Sequence, residues 1–492
     1  MLTALLILCA LIWLPIFLYS LSRWGFVALM AWLLIAPIAT NVVRGQSNPL
    51  FTTRTEGPGS QQVKTLGWWE GQSGDVKARE LFQPTRLVIC SLFGVLLLSA
   101  VFGRNSVLPP DKTEIWMALF SLILVTNIVF QSHRLLYSLR FATDGFIVPF
   151  AAYYVSRRLV RNEHQLHQLT RVLTCLGSYL IVIGLVERLA HGGMLYRLSG
   201  PFNSGTAYYY VLMAIFFAVL AAYQRNDHGH APKQLLPVLM QWFVLAGTPV
   251  VILLIWSRGA WLGFLLGVWV FVFLGYRLIN SPRRLTGVVL LIVPLVVAGI
   301  FWLVPEVVME RRVLTMGTVN WRFVRWNIAI ELGTQNPIFG VGFSNLLEVF
   351  GGQLGTVYSA HNFFLTLFAE LGIAGLLAYL AALGCIFRTA MTLYRKGPGD
   401  QDRWRGITMI AVITASLAPA LFANTMHTAG VVLVYMYVFL GGIGGMYSQD
   451  RPAPVSRDRL PHPVPYPALL DTIMTNQSDL LGKDRRARAE VL

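Results

Sequence analysis

The chain has 492 residues, 55% hydrophobic and only 13% charged, with a mean hydropathy of +0.59. A soluble domain carries about twice that charged fraction, so the composition excludes a soluble globular fold. The net charge of +16 would suggest nucleic acid in a soluble protein. In an apolar chain it marks cytoplasmic loops and anionic headgroups instead, and no nucleic-acid partner is expected.

In chain order, apolar blocks fall at about 1–22, 24–43, 87–102, 115–131, 141–156, 172–190, 205–223, 235–256, 259–278, 286–304, 361–387, 406–424 and 428–448. Most are long enough to cross ~30 Å of hydrocarbon as a helix, giving about 12–13 spans. Isolated strands could not satisfy their backbone in lipid, and the blocks lack the alternation of a membrane barrel. The expected fold is therefore all-α: a polytopic transmembrane helical bundle with a large, partly helical periplasmic loop. It divides into N-terminal transmembrane helices at 1–190 with an inserted polar loop at 44–86, a membrane domain at 191–448 that includes the loop 305–360, and a tail at 449–492. The tail is Pro-rich, then charged (RPAPVSRDRLPHPVPYP, GKDRRARAE), which predicts a disordered cytoplasmic appendage. The first block has no basic n-region and runs into a second, so no cleavable signal peptide is expected.

Orientation follows from the basic segments. Segments 157–171, 277–284 and 388–405 hold Arg157, Arg158, Arg161, Arg171, Arg277, Arg283, Arg284, Arg388, Arg395, Lys396, Arg403 and Arg405, and belong in the cytoplasm. The loop 305–360 then lies outside, where Arg311, Arg312, Arg322 and Arg325 balance Glu306, Glu310, Glu331 and Glu348. Strict alternation also puts 44–86 outside, although it is net basic.

The residue with most chemical reach is His361, in Ser359-Ala360-His361-Asn362, where the polar loop meets an apolar helix. An imidazole, with its ordinary pKa near 6.5, suits proton transfer at neutral pH. At a helix mouth it can meet a soluble hydroxyl and a lipid-borne phosphate together; the plainer reading is a polar residue at a helix start. Arginine stands near the same boundary in three places: Arg258 in WSRGAW, Arg322 and Arg325 in WRFVRWNIAIELGTQNPIFGVG, and Arg197 in YRLSGPFNSG. Guanidinium grips phosphate oxygens in pairs, and arginine at membrane depth is costly unless it is paired or solvated. Arg258 equally fits a snorkelling anchor between interfacial tryptophans. Arg322 and Arg325 share a helix face and equally fit a solvated surface or partners for Glu331. Asn336-Pro337 stops that helix, and Gly340 and Gly342 turn the chain back.

Other templates are absent. There is no GxxxxGK[ST] phosphate loop, no HExxH, and GVGFSN follows a turn rather than a strand. His164/His167 and His228/His230 lack carboxylate or cysteine companions, so no metal site is expected. Cys9, Cys90, Cys175 and Cys385 lie within apolar blocks and read as small fillers. His427, in Asn424-Thr425-Met426-His427, occupies an outer turn that could face the same cavity as His361. Leu371-Gly372-Ile373-Ala374-Gly375 reads as a close-packing site between helices.

The order SRGAWLG, then Arg322 and Trp326, then Asn336-Pro337-Ile338-Phe339-Gly340-Val341-Gly342, then Ala360-His361-Asn362 leading to Glu370-Leu371-Gly372-Ile373-Ala374-Gly375, resembles the O-antigen ligase and polymerase superfamily. RLSGPFNSG is a looser match, and the resemblance covers about residues 197–387. It implies a multi-pass protein of the bacterial inner membrane that moves a glycan from an undecaprenyl-diphosphate carrier to an acceptor hydroxyl (a glycan, lipid A core or another) at the periplasmic face. No cofactor is implied, and the transfer would be metal-independent and inverting. It assigns diphosphate binding to Arg258 and Arg322, with Arg325 and Arg197 joined by proximity, transfer to His361, and supporting roles to Asn362, Asn203 and Glu370. Ligase and polymerase are not separated. The rival from another class is a transporter of an anion or lipid-linked oligosaccharide.

Overall fold

The computed structural model describes residues 24–37, 84–101, 108–191, 198, 200–202, 205–226, 235–278, 317–354, 360–422 and 433–449. The expected spans 1–22 and 286–304, almost all of the 44–86 loop, the tail beyond Gln449, and Arg197, Asn203 and His427 lie outside them. The helices are α1 Trp24–Pro37, α2 Pro84–Val101, α3 Lys112–Gln131, α4 Leu135–Ala142, α5 Val148–Leu159, α6 Glu163–His191, α7 Gly205–Asn226, α8 Leu235–Leu254, α9 Arg258–Gly275, α10 Gly317–Gln335, α11 Leu346–Leu354, α12 Phe363–Lys396, α13 Asp400–Phe422 and α14 Leu433–Gln449. No strand occurs among the described residues. Seven of these helices (α3, α6, α7, α8, α9, α12 and α13) are long and apolar enough to cross a membrane. The protein is an all-α polytopic bundle.

Helix α7 is the core, buried almost all round, while Phe130, Leu189, Phe273 and Leu377 point outward as apolar side chains can in lipid. Helices α9 and α13 run antiparallel: Gly259 opens α9 beside Pro419 near the end of α13, and Gly275 closes it against Trp404 near the start. Their close approach uses the one-turn glycine spacing of α9. A Cβ on Gly263 would come 2.5 Å from the Ala415 carbonyl oxygen. Pro419 has no N–H for that carbonyl, and the Tyr209 hydroxyl of α7 donates to it at 2.8 Å, with Tyr210 donating to Ser416 at 3.1 Å. The acceptor that Pro419 leaves open inside the bundle is thus met by the Tyr209 side chain.

Two buried charge clusters are paired. A capping box at Asp111 starts α3, and its Glu114 holds Arg157 at 3.1 Å and also Arg158, at the end of α5. The basic segment 157–171 was expected to be a cytoplasmic loop. Instead α5 runs through Arg157 and Arg158 to Leu159, and α6 begins at Glu163. Both arginines are 3% exposed, so they are partners of Glu114 rather than solvated loop charges. The π-helical turn Thr143–Ile147 joins α4 to α5 and presents Asp144 to Arg86 of α2 through two bonds of 2.6 and 2.7 Å.

Candidate active site

The site is built at the end of the bundle where α9 and α12 begin. At the α8–α9 corner, Trp256 takes a positive φ of 53°. The Ser257 hydroxyl accepts from Ala260 N–H as N-cap, and the Trp261 indole donates to the Ile252 carbonyl at 3.0 Å. These bonds fix Arg258 as the first residue of α9, half-buried rather than extended into solvent. Nearby, Leu198 N–H donates to Leu254 of α8 at 3.3 Å, and Gly200 N–H donates to the Glu187 carboxylate at 2.9 Å. Glu187 therefore holds the turn that follows Arg197.

Helix α10 carries Arg322, half-buried, and Arg325, 8% exposed. Burial, then the positive charges of Arg258 and Arg325, hold the Arg322 guanidinium below its ordinary pKa. Arg322 of α10 therefore lies close enough to Arg258 of α9 and to Arg325 to feel both charges. Glu331 is exposed on the same helix and accepts from Gln335 at 3.2 Å.

The helix stops before Asn336-Pro337, and the turn that follows enters α12. Gly372 of α12 has φ 64° and ψ −166°, which is not helical. At this break Val341 and Gly342 N–H donate to the Ala369 and Glu370 carbonyls at 2.9 and 3.1 Å, while Ile373 and Ala374 N–H donate to Pro337 and Ile338 at 2.8 and 3.3 Å. Residues 337–342 thereby supply the bonds that a continuous helix would have made to itself. The expectation that Gly372 serves close helix packing is corrected: it is a helix break. A Cβ there would sit 2.3 Å from the Ile338 carbonyl oxygen. Beside it Glu370 is fully buried. The Ser344 and Leu346 amides, at the start of α11, face its carboxylate, although neither oxygen closes a hydrogen bond. It is the Glu370 backbone carbonyl, accepting from Gly342 N–H, that meets the turn here.

His361 immediately precedes the N-cap of α12. The Asn362 side chain accepts from Phe364 and Leu365 N–H at 3.0 and 3.1 Å. His361 is half-buried and has φ 53°, a left-handed conformation that histidine tolerates better than most residues but that still costs energy. The Ala360 carbonyl accepts from the Trp326 indole at 2.9 Å. The histidine's backbone is thus tied to the residue next to Arg325. Structure brings Arg258, Arg322, Arg325 and the His361 segment to one end of the bundle.

Sequence reasoning missed the α3–α4 corner on which this assembly rests. Its His133 and Arg134 bind Glu348 of α11 at 3.0 and 2.7 Å, so Glu348 is a partner of this corner. Tyr137 follows, its phenol pushed up to about 12 by burial against the opposing pull of Arg134 and Arg140, with Glu370 adding to the rise. A histidine and two arginines near a predicted outer boundary were the available signal.

Residues 242–380 match the family model described as O-antigen ligase. The chain carries an O-antigen ligase domain. That domain contains Arg258, Arg322, Arg325, His361, Asn362 and Glu370, and it carries a general role in membrane glycan transfer. No curated protein matches the chain.

Proposed function

We propose that this O-antigen ligase-family protein transfers a glycan from a polyprenyl-diphosphate carrier to an acceptor hydroxyl at the periplasmic face of the inner membrane. The observation that carries the reading is that Arg322 lies in the field of both Arg258 and Arg325, on a helix whose Trp326 is bonded to Ala360 beside His361. Like charges gathered at a partly desolvated place repel, and a diphosphate relieves that repulsion while offering oxygens for guanidinium forks.

In the proposed reaction the acceptor oxygen attacks the anomeric carbon as the bond from that carbon to the phosphate oxygen breaks. The diphosphate leaves with the bonding pair, and the acceptor's proton passes to His361. Arg258, Arg322 and Arg325 stabilise the charge that grows on the leaving phosphates, and His361 serves as general base or orients the hydroxyl. A single displacement inverts the anomeric centre. Asn362 caps the helix that holds His361 in place, and the Glu370 backbone carbonyl takes the Gly342 N–H of the turn below it.

A transporter would also use a broken helix, and α12 is broken at Gly372. The break is closed by backbone hydrogen bonds from residues 337–342, which favours a fixed pocket over a moving gate. Purified protein given lipid-linked glycan and acceptor, with no energy source, should form product. Arg258→Lys and Arg322→Lys keep the charge but lose the fork, and each should lower kcat/KM at least ~10-fold. Full activity in both would sink the diphosphate clamp.

A further inference from the structure

We infer that Asn127 is a positioning residue for glycan transfer, an inference that rests on the transfer reading above. It lies on α3, outside the matched ligase domain at 242–380, and is 4% exposed. Its side-chain oxygen accepts from Phe343 N–H at 2.7 Å, while its amide nitrogen donates to the Phe339 carbonyl and the Gln131 side chain, both at 2.8 Å, and reaches the Glu370 carbonyl at 3.4 Å. One amide thus bonds both arms of the inserted turn and the last helical carbonyl region of α12 before its break. An amide is the group suited to this, because it offers one acceptor and two donors in a plane. Apolar side chains would leave the Phe339 carbonyl and Phe343 N–H without these bonds in a buried place, at the usual cost of unmade hydrogen bonds.

The chain's connectivity gives this clamp a catalytic consequence. The turn continues directly from α10, which carries Arg322 and Arg325, and is stitched to α12, whose start carries His361. Arg258 sits on α9, which is not part of that stitched unit. Asn127 fixes the α10–turn–α12 unit to α3, and hence to the rest of the bundle that carries Arg258. Asn345, donating to the Gln131 carbonyl at 2.9 Å, and Glu348 also tie the residues after the turn to the α3–α4 corner. Losing Asn127 therefore loosens the unit rather than freeing it, and displaces two of the three arginines and the histidine slightly against the third. Diphosphate binding by clustered charge tolerates such a shift, whereas alignment of hydroxyl, anomeric carbon and leaving oxygen does not. Misplacement by about 1 Å costs on the order of 100-fold in rate.

The test is steady-state kinetics of full-length protein with lipid-linked glycan and acceptor, each rate normalised to folded protein by gel filtration. Asn127→Asp keeps the shape and the acceptor but loses both donors. It should lower kcat by ~10- to 100-fold while KM for the lipid-linked glycan stays within about 3-fold. Asn127→Ser is the milder variant and should lose about 10-fold if Asn127→Asp does not accumulate. Unchanged kcat per folded molecule in either variant overturns the positioning role and leaves a merely structural one. Wild-type protein that moves no glycan overturns the transfer reading, and the positioning role with it.

Discussion

Replacing Gly372 with alanine tests the helix break on which the candidate site is mounted. The native φ of 64° and ψ of −166° lie in a region essentially reserved for glycine, worth about 1–3 kcal/mol of strain for any other residue. A Cβ would also press 2.3 Å from the Ile338 carbonyl oxygen and 2.6 Å from the Phe339 nitrogen. These are backbone atoms of the inserted turn, with no flexible side-chain end to give way. Relieving the clash means lengthening the bonds from Ile373 to Pro337 and from Ala374 to Ile338, now 2.8 and 3.3 Å, and each buried bond left unmade costs about 1–3 kcal/mol. The total loss should be on the order of 3–9 kcal/mol. Gly384→Ala, in the same helix with open space around its Cβ position, is the control and should be neutral or gain up to about 1 kcal/mol. Detergent-solubilised protein titrated with SDS, followed by helical circular dichroism, reads both. A Gly372→Ala protein as stable as Gly384→Ala would mean that α12 runs unbroken and that the turn makes none of these bonds.

Three other outcomes follow from the same geometry. Asp144→Leu should destabilise by about 3–5 kcal/mol by removing both carboxylate bonds from buried Arg86, and the Arg86→Met/Asp144→Leu double variant should recover much of the loss in the same titration. Asn362→Ala removes an N-cap that accepts two amides and should cost about 1 kcal/mol. Asn362→Asp should retain most of that stability. Trp326→Phe deletes the 2.9 Å bond to Ala360; it should lower transfer rate with little change in carrier binding, read by kcat against KM.

Much of the helix inventory is legible in hydropathy: the block at 235–256 becomes α8 Leu235–Leu254, and that at 259–278 becomes α9 Arg258–Gly275. Hydropathy marks where lipid begins, though, rather than where a helix ends. Helix α6 starts at Glu163 well before its apolar block, and α12 continues through Arg388 and Arg395 to Lys396. The arginines and His361 were visible because charge at an apolar boundary is conspicuous. The break at Gly372 was not, because its φ is imposed by a turn arriving from residues 337–342, and a glycine followed by small residues reads equally well as a packing surface. Asn127 and Asp144 were passed over as single polar residues within apolar spans. The general cost of burying polar groups in lipid would have flagged both.

The most direct measurement is product formation by wild-type and His361→Ala protein reconstituted with a lipid-diphosphate-linked glycan and a hydroxyl acceptor, alongside carrier binding. Convergence of the arginines with the histidine predicts transfer with release of polyprenyl diphosphate by the wild type. The variant should form no detectable product, yet bind the carrier with near wild-type affinity. Undiminished product from the variant would contradict it.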